Sequence, residues 1–350
     1  MNAFPSALPY RPRLAGPAGF SALPSWATLD RSFHNVARNE RALRASGLFG
    51  PMLGLPNDAP LCDVWRAVAF TSGGKKGPQP RGLLSKSTKV DKSLKTAHEL
   101  SGVVYLAAAG IPGFSLCAGA TADCAASCIL LTGQLAFTSG QRAAFARTVL
   151  WAMFPADFLA MLDAEIRRLQ RRAERKGLAW SLRPNGTSDI RWEFYGLPSF
   201  VLSLGGAVYD YTKLTLAARK RAPAGYSLTY SYSDDARSAG RAVEYLQRGG
   251  TVAVVVGGPD GGRSPAKGAA AAILRRGSLF GFPVLDGDEH DARHLDRPGS
   301  IVVLYAKGPA ADNGPNPFVV ACDPSTGEPE SFHADRWAAA VRRSRLPLAS

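Results

Sequence analysis

From about residue 100 onward, short apolar runs alternate with stretches that carry apolar residues at three- and four-residue spacing, and this alternation restricts the fold more than any other feature. Val103–Ala109, Ala179–Arg183, Ala207–Tyr211, Tyr226–Ser231, Thr251–Val256, Pro283–Leu285 and Ile301–Ala306 read as strands. Gln141–Trp151, Ala156–Lys176, Phe194–Leu204, Leu216–Arg221 and Ala236–Arg248 read as the helices between them. Strands separated by helices pair in parallel through right-handed crossovers. The expected class is therefore α/β. A partial or complete (β/α) barrel of six to seven βα units fits better than a short doubly wound sheet, and in both cases ligands gather at the carboxyl ends of the strands.

Residues 1–80 lack that rhythm. They are rich in Pro and Gly, hold the string Gly73–Gly77 and one short basic amphipathic pattern, Ser32–Ala45, and read as an irregular N-terminal appendage. Residues 83–325 form the expected (β/α) domain, and 326–350 a C-terminal tail or short helix. The lysine-rich stretch Lys86–Lys95 reads as a solvated surface that faces nucleic acid; it is not a phosphate-binding P-loop, because Ser85 stands where that loop needs glycine. The Gly-rich segment Gly257–Gly268 lacks a phosphate-binding pattern and reads as a mobile lid or linker.

No run of about 18 apolar residues is present, which argues against a transmembrane helix. The Pro-interrupted N-terminus lacks the layout of a signal peptide, so the expected place is the cytoplasm. Five cysteines are too few and too unevenly placed for a disulfide framework, and three of them lie within twelve residues while Cys62 and Cys322 stand alone. A formal charge of +14 favours a polyanionic partner, a nucleic acid or nucleotide; the alternative is that the charge only keeps the protein soluble.

Four strings carry chemistry. The first is the loop Cys117-Ala-Gly-Ala-Thr-Ala-Asp-Cys124-Ala-Ala-Ser-Cys128. Thiolates are the ligands of zinc and of iron–sulfur clusters, and small neighbours leave room for a bulky group. Three protein ligands leave one position open, as in a working site; the alternative is three buried small cysteines or a redox-sensitive pair. The second string, Arg183 to Glu193, places Asn185, Gly186, Thr187 and Ser188 in a turn that meets a cofactor, with Asp189 as a catalytic candidate. An N-cap built on Ser188 or Asp189 explains the same residues without a ligand.

The third string, Tyr209-Asp210-Tyr211-Thr212-Lys213, puts Asp210 and Thr212 on the face opposite the two tyrosines. A buried Asp210 needs a partner, Lys213 or Arg183, and both Asp210 and Lys213 are catalytic candidates; a structural ion pair is the alternative. The fourth runs from Leu285 to Asp296. Asp288 is a cofactor-binding candidate there, and His290 and His294 at four-residue spacing could hold a hard or borderline metal, although a solvated turn accounts for them equally.

Taken in order, LLSKSTK, the three-cysteine loop, NGTSDIRWE, YDYTK, SLTYS, GDEHDARHLD and LYAKG resemble an uncharacterised bacteriophage protein family, from about Leu83 to Cys322. That resemblance implies a phage protein acting inside the bacterial host. More distantly, the chain resembles radical S-adenosylmethionine enzymes, which carry three cysteines in a loop after the first barrel strand. Here six and three residues separate the cysteines, where that group has three and two. The resemblance implies an iron–sulfur cluster on Cys117, Cys124 and Cys128, and S-adenosylmethionine met by the NGTSDI turn and Asp210. The resulting expectation is a metal or iron–sulfur enzyme acting on a nucleotide or nucleic acid. The runner-up is a nucleic-acid-binding accessory protein with a structural zinc on the same cysteines.

Overall fold

The structure is a computed structural model that describes residues 23–30, 34–71, 79–85, 94–107 and 111–344. The Gly73–Gly77 string, most of the lysine-rich stretch, the start of the Ser32–Ala45 pattern and the end of the Val103–Ala109 run lie outside the described residues.

A small antiparallel pair, β1 (Phe70–Thr71) and β2 (Gln79–Pro80), precedes the main sheet. That sheet has ten strands: β3 (Leu84–Ser85), β4 (Glu99–Val104), β5 (Ala179–Arg183), β6 (Ala207–Thr212), β7 (Tyr226–Ser231), β8 (Thr251–Gly257), β9 (Ser278–Leu279), β10 (Phe282–Asp286), β11 (Ile301–Tyr305) and β12 (Val320–Ala321). Its order is β3-β4-β5-β6-β7-β8-β11-β10-β9, with β12 added to β8. The two outermost pairings are antiparallel and the others parallel. The α/β class expected from the sequence holds, but the sheet does not close into a barrel.

The topology supplies the reason. From β4 to β8 each strand adds beside the last in one direction, so right-handed crossovers lay the connecting helices on one face. These helices are Pro155–Glu174, Leu197–Ser203 and Ser238–Gln247. After β8 the chain skips one place to β10 and returns to insert β11 between them. The return connection, residues 287–300, crosses the opposite face and packs against β6 and β7. That face, which a closed barrel would wrap inside, is thus already filled, and short antiparallel strands cover both edges.

Alternation along β4 separates the two faces. Leu100, Gly102 and Val104 meet the helices; a Cβ on Gly102 would stand 3.0 Å from Leu169. Glu99 and Ser101 turn to the return connection, where Glu99 accepts from Ser101 and Ser181 and sits 3.0 Å from His294. The central strand β8, Thr-Val-Ala-Val-Val-Val-Gly, is apolar on both faces, as a strand covered on two sides must be.

Residues expected as an irregular appendage supply three helices, Val36–Ala45, Phe49–Leu53 and Leu61–Ala69, packed on Thr138–Met153. Asn35 caps the first by accepting from the Arg38 amide at 2.9 Å. Leu43, Phe49, Val64 and Val68 join the largest core cluster, each with no exposed area. Full burial of such a side chain is worth about 1.5–3 kcal/mol. The Trp65 indole donates to Asp157 at 3.1 Å and the Trp26 indole to Asp163 at 2.8 Å.

Two local expectations change, and the C-terminal one takes its helical form. Leu216–Arg221, read as a helix, is a set of turns that buries Arg219. Gly257–Gly268, read as a lid or linker, ends inside the helix Arg263–Arg276. The tail contains the helix Ser331–Ser344, anchored by buried Trp337 stacking on Phe280 at 4.5 Å; residues 345–350 lie outside the described residues. No single helix among the described residues is long and apolar enough to cross a membrane.

Candidate active-site cavity

A cavity of about 920 Å³ opens at the carboxyl ends of β4 to β8 and β11. It takes Tyr105 from the end of β4, Arg183 and Asn185–Asp189 from the end of β5, Tyr211–Lys213 from the end of β6, Ser231 from β7, Tyr305 from the end of β11 and Lys307 just after it. Pairing of β7 with β8 stops at Ser231–Ala253, and β12 takes over only at Val256, so the sheet splays beneath the cavity.

The second string forms one wall. The Asn185 Oδ1 accepts from Ser188 Oγ (2.8 Å), the Ile190 amide (2.9 Å) and the Trp192 indole (3.1 Å). Its Nδ2 donates to Ile190 O and to Asp210 Oδ2, both at 2.9 Å. Thr187 Oγ1 bridges the backbone of Leu106, accepting from its amide at 3.0 Å and donating to its carbonyl. The Gly186 amide donates to Val104 O at 2.9 Å, and a Cβ there would come within 2.6 Å of that oxygen, so only glycine fits. The cofactor-turn candidates Asn185, Thr187 and Ser188 are thus engaged within the protein, and the wall offers the cavity mainly shape and backbone.

Behind that wall lies Asp210. It is fully buried and accepts from the Asn185 amide (2.7 Å) and the Tyr226 hydroxyl (2.5 Å). Burial pushes its carboxyl up to about 7, against the lowering effect of those hydrogen bonds. The partners expected for it, Lys213 and Arg183, are not its bonding partners. Arg183 pairs with Asp291 at 2.8 Å, and the Lys213 ammonium donates to Ser231 Oγ at 3.1 Å. Asp210 does not line the cavity.

Asp189 and Lys213 do line it. The Asp189 carboxylate accepts the Lys213 amide at 2.8 Å and lies 3.4 Å from Arg219, which also pairs with Glu193 at 3.1 Å. Burial raises the Asp189 carboxyl, and the Lys213 amide and Arg219 oppose that rise.

The cysteine loop forms the other wall. Thr121 caps the short helix Ala122–Ala126 by accepting from the Cys124 amide at 3.1 Å, and no residue of that helix is buried. Cys117, Cys124 and Cys128 are half-buried and face the same cavity as Asn185–Asp189 and Lys213. The Cys117 thiol donates to Thr187 O at 3.5 Å, and the Asp189 amide to Leu116 O at 2.9 Å, which ties the two walls together. Gly119 lets the loop approach Lys213, whose Cβ would stand 2.6 Å from a Cβ at that position.

Burial pushes all three thiols up. Cys117 is raised further by Asp189, Cys128 and Cys124, while the Lys213 ammonium acts in the opposite direction on each of the three. The donor set suits a soft metal, and the sulfurs are close enough to influence one another's ionisation. Among the described residues no three Cys, His, Asp or Glu side chains stand as a preformed metal site. The histidine pair of the fourth string also forms no such site. His294 lies against Glu99 and Tyr209, and His290 against Arg293. Asp288 is ion-paired with Lys307, which lines the cavity, but is not itself part of the lining.

Sequence reasoning passed over Arg147, Tyr105, Asp291 and Lys307. Arg147 sits on Thr138–Met153 among residues that read as helix surface, and only the crossing of the return connection brings Asp291 to Arg183.

The family model described as gene product 88 matches residues 81–325, close to the Leu83–Cys322 span over which the phage-family resemblance runs. No curated protein and no solved structure matches the chain.

Proposed function

We propose, for a chain that belongs to the gene product 88 family, an enzyme working in this cavity on a nucleotide or nucleic acid inside the phage's bacterial host, with Cys117, Cys124 and Cys128 as the ligand set of an iron–sulfur cluster or other soft metal. One observation carries the reading. The three thiols, the Asn185–Asp189 turn and Lys213 come from separate parts of the chain and meet at one cavity at the carboxyl ends of parallel strands, where α/β folds bind ligands.

Cys117, Cys124 and Cys128 would hold such a cluster, which would supply electron-transfer chemistry, and S-adenosylmethionine is the partner that the distant resemblance to radical enzymes implies. The chain's own part can be stated separately. Lys213 sets a positive charge beside the thiols and offsets the charge they acquire on losing protons. Asp189 fixes the Lys213 backbone, and the Asn185 network holds the facing wall rigid.

Anaerobic reconstitution with iron and sulfide tests the reading. Binding of both, lost in Cys117→Ser, Cys124→Ser and Cys128→Ser but kept in Cys62→Ser and Cys322→Ser, supports it. Protein that retains neither iron nor zinc after reconstitution sinks it.

The alternative, a nucleic-acid-binding accessory protein with structural zinc on these cysteines, is favoured by one surface. Arg168, Arg171, Arg172 and Arg175 recur at three- and four-residue spacing and are exposed along one stripe at the end of Pro155–Glu174, with Lys176 next to them. This stripe lies at the amino ends of the strands, away from the cavity. Stoichiometric zinc together with a steep fall of duplex binding on Arg171→Gln and Arg172→Gln would favour it, since each lost phosphate contact lowers the salt slope by about 0.9.

A further inference from the structure

Four cations line the cavity: Arg147, Arg183, Lys213 and Lys307. Three have evident occupations. Arg183 pairs with Asp291, Lys307 with Asp288, and Lys213 bonds Ser231 beside the Cys124 thiol. Arg147 differs. Its Nε donates to Gly82 O at 2.9 Å and its Nη1 to Tyr105 O at 3.5 Å, both neutral acceptors. The carboxylate that acts on it, Glu165, gives both oxygens to the amides of Leu83 and Leu84, at 2.9 and 2.8 Å.

A second guanidinium, Arg81, lies beside it. Arg81 donates to the carbonyls of Ala67, Val68 and Phe70, so its hydrogen bonds too go to neutral acceptors. Burial and Arg81 together pull Arg147 down to about 10. A folded protein that holds a charge in such a place gains when an anion arrives.

The mouth of the same cavity is apolar. Ile129 and Phe137 line it and expose 51% and 66% of their surface, more than isolated burial would favour. Leu135 lies with them.

We propose that Arg147 is the oxyanion anchor of this cavity, and that it receives the phosphate or carboxylate of a small substrate whose apolar body rests on Ile129, Leu135 and Phe137. A planar guanidinium offers paired donors to either oxyanion, and the partly dry wall strengthens the attraction. A cavity of about 920 Å³ accommodates a small organic anion with a ring attached. The inference rests on the cavity being the working site and not on any metal.

Equilibrium dialysis of the full-length protein with phenyl phosphate, benzoate and phenol tests it. At least one anion should bind tenfold or more tightly than phenol, and whichever binds better identifies the substrate's oxyanion. Arg147→Met should lose that preference, while Arg147→Lys, which keeps charge but not the fork, should keep part of it. Without ligand, Arg147→Met should unfold at the native temperature or above, because it removes a half-buried cation whose hydrogen bonds go to neutral carbonyls. The C117S/C124S/C128S protein should bind the anion as the native protein does; a native protein that binds the anion but retains no metal after reconstitution would fell the metal reading alone. Anions bound no better than phenol, or a preference unchanged in both Arg147→Met and Arg147→Lys, would overturn the proposal. Arg248→Gln, exposed and far from the cavity, serves as the charge-matched control.

Discussion

The two walls of the cavity are built in opposite ways. On the Asn185–Asp189 side every polar side chain is committed to a partner, glycine at 186 is required by a strand carbonyl, and Asp210 braces the turn from behind. On the cysteine side a loop carries the thiols, and its five-residue helix, which holds Cys124 and has no buried residue, is kept by one cap and a few bonds to neighbours. The chemistry-bearing side chains therefore sit on the yielding wall, and the polar string that looks most like a cofactor turn is scaffold. A rigid wall opposite a yielding one lets ligands gather on an arriving ion without disturbing the sheet.

This contrast is open to test, beginning with the largest effect. Asn185→Ala removes the acceptor of three donors and one donor to Asp210, each a loss of about 1–3 kcal/mol when buried. Denaturant unfolding should show a loss of about 4 kcal/mol or more, or no folded protein at all. Single Cys→Ser changes should cost less than about 1 kcal/mol. Equal costs on the two walls would abolish the contrast.

A matched pair of glycines sharpens it. Gly186→Ala and Gly119→Ala each bring a Cβ to 2.6 Å from a neighbour. At 186 the neighbour is the Val104 carbonyl at the end of β4, a strand paired on both sides, and the expected cost is about 3 kcal/mol. At 119 the loop can shift, and the cost should stay below about 1 kcal/mol.

A pH series follows. The Asp210 carboxyl is raised to about 7, above its unfolded value near 4, so its contribution is complete below pH 4 and is lost as pH rises through 7. Replacing it with the isosteric neutral amide, Asp210→Asn, should remove a stability decline of about 2 kcal/mol between pH 5 and 8. An unchanged slope would mean that the network keeps Asp210 ionised throughout.

The smallest effect concerns Lys213. The ammonium favours ionised thiols, so Lys213→Met should slow alkylation of the three cysteines at pH 9 by about two- to threefold. A faster reaction would place Lys213 as a steric guard.

Much of the sheet was legible in the sequence. Tyr226–Ser231 and Ala179–Arg183 match their strands residue for residue, because buried parallel strands write continuous or alternating apolar runs. Arg263–Arg276 was not legible: Pro265 and Gly268 mark loops locally, yet a proline is tolerated in a first turn, and Gly268 lies close against Pro324. The cavity was legible in part. Strand ends placed the three-cysteine loop, NGTSD and Lys213 together, whereas alternation placed Asp210 on the correct face without disclosing its partners. Arg219 buries its charge among Asp189, Glu193 and Tyr226, contacts made across a long loop that no local pattern records.

The insertion of β11 between β8 and β10 also orders events in time. While the chain is being synthesised, β4 to β8 can assemble one after another, since each needs only its predecessor. Until residues 287–305 emerge, that assembly exposes Glu99 and Arg183 on a bare face, without His294 and Asp291. Two buried-to-be charges without counterparts hold the partial sheet in a loose state. A truncated product that stops before β11 should therefore stay open to proteases, and the last third of the chain acts as the latch that decides whether the earlier two-thirds count as folded.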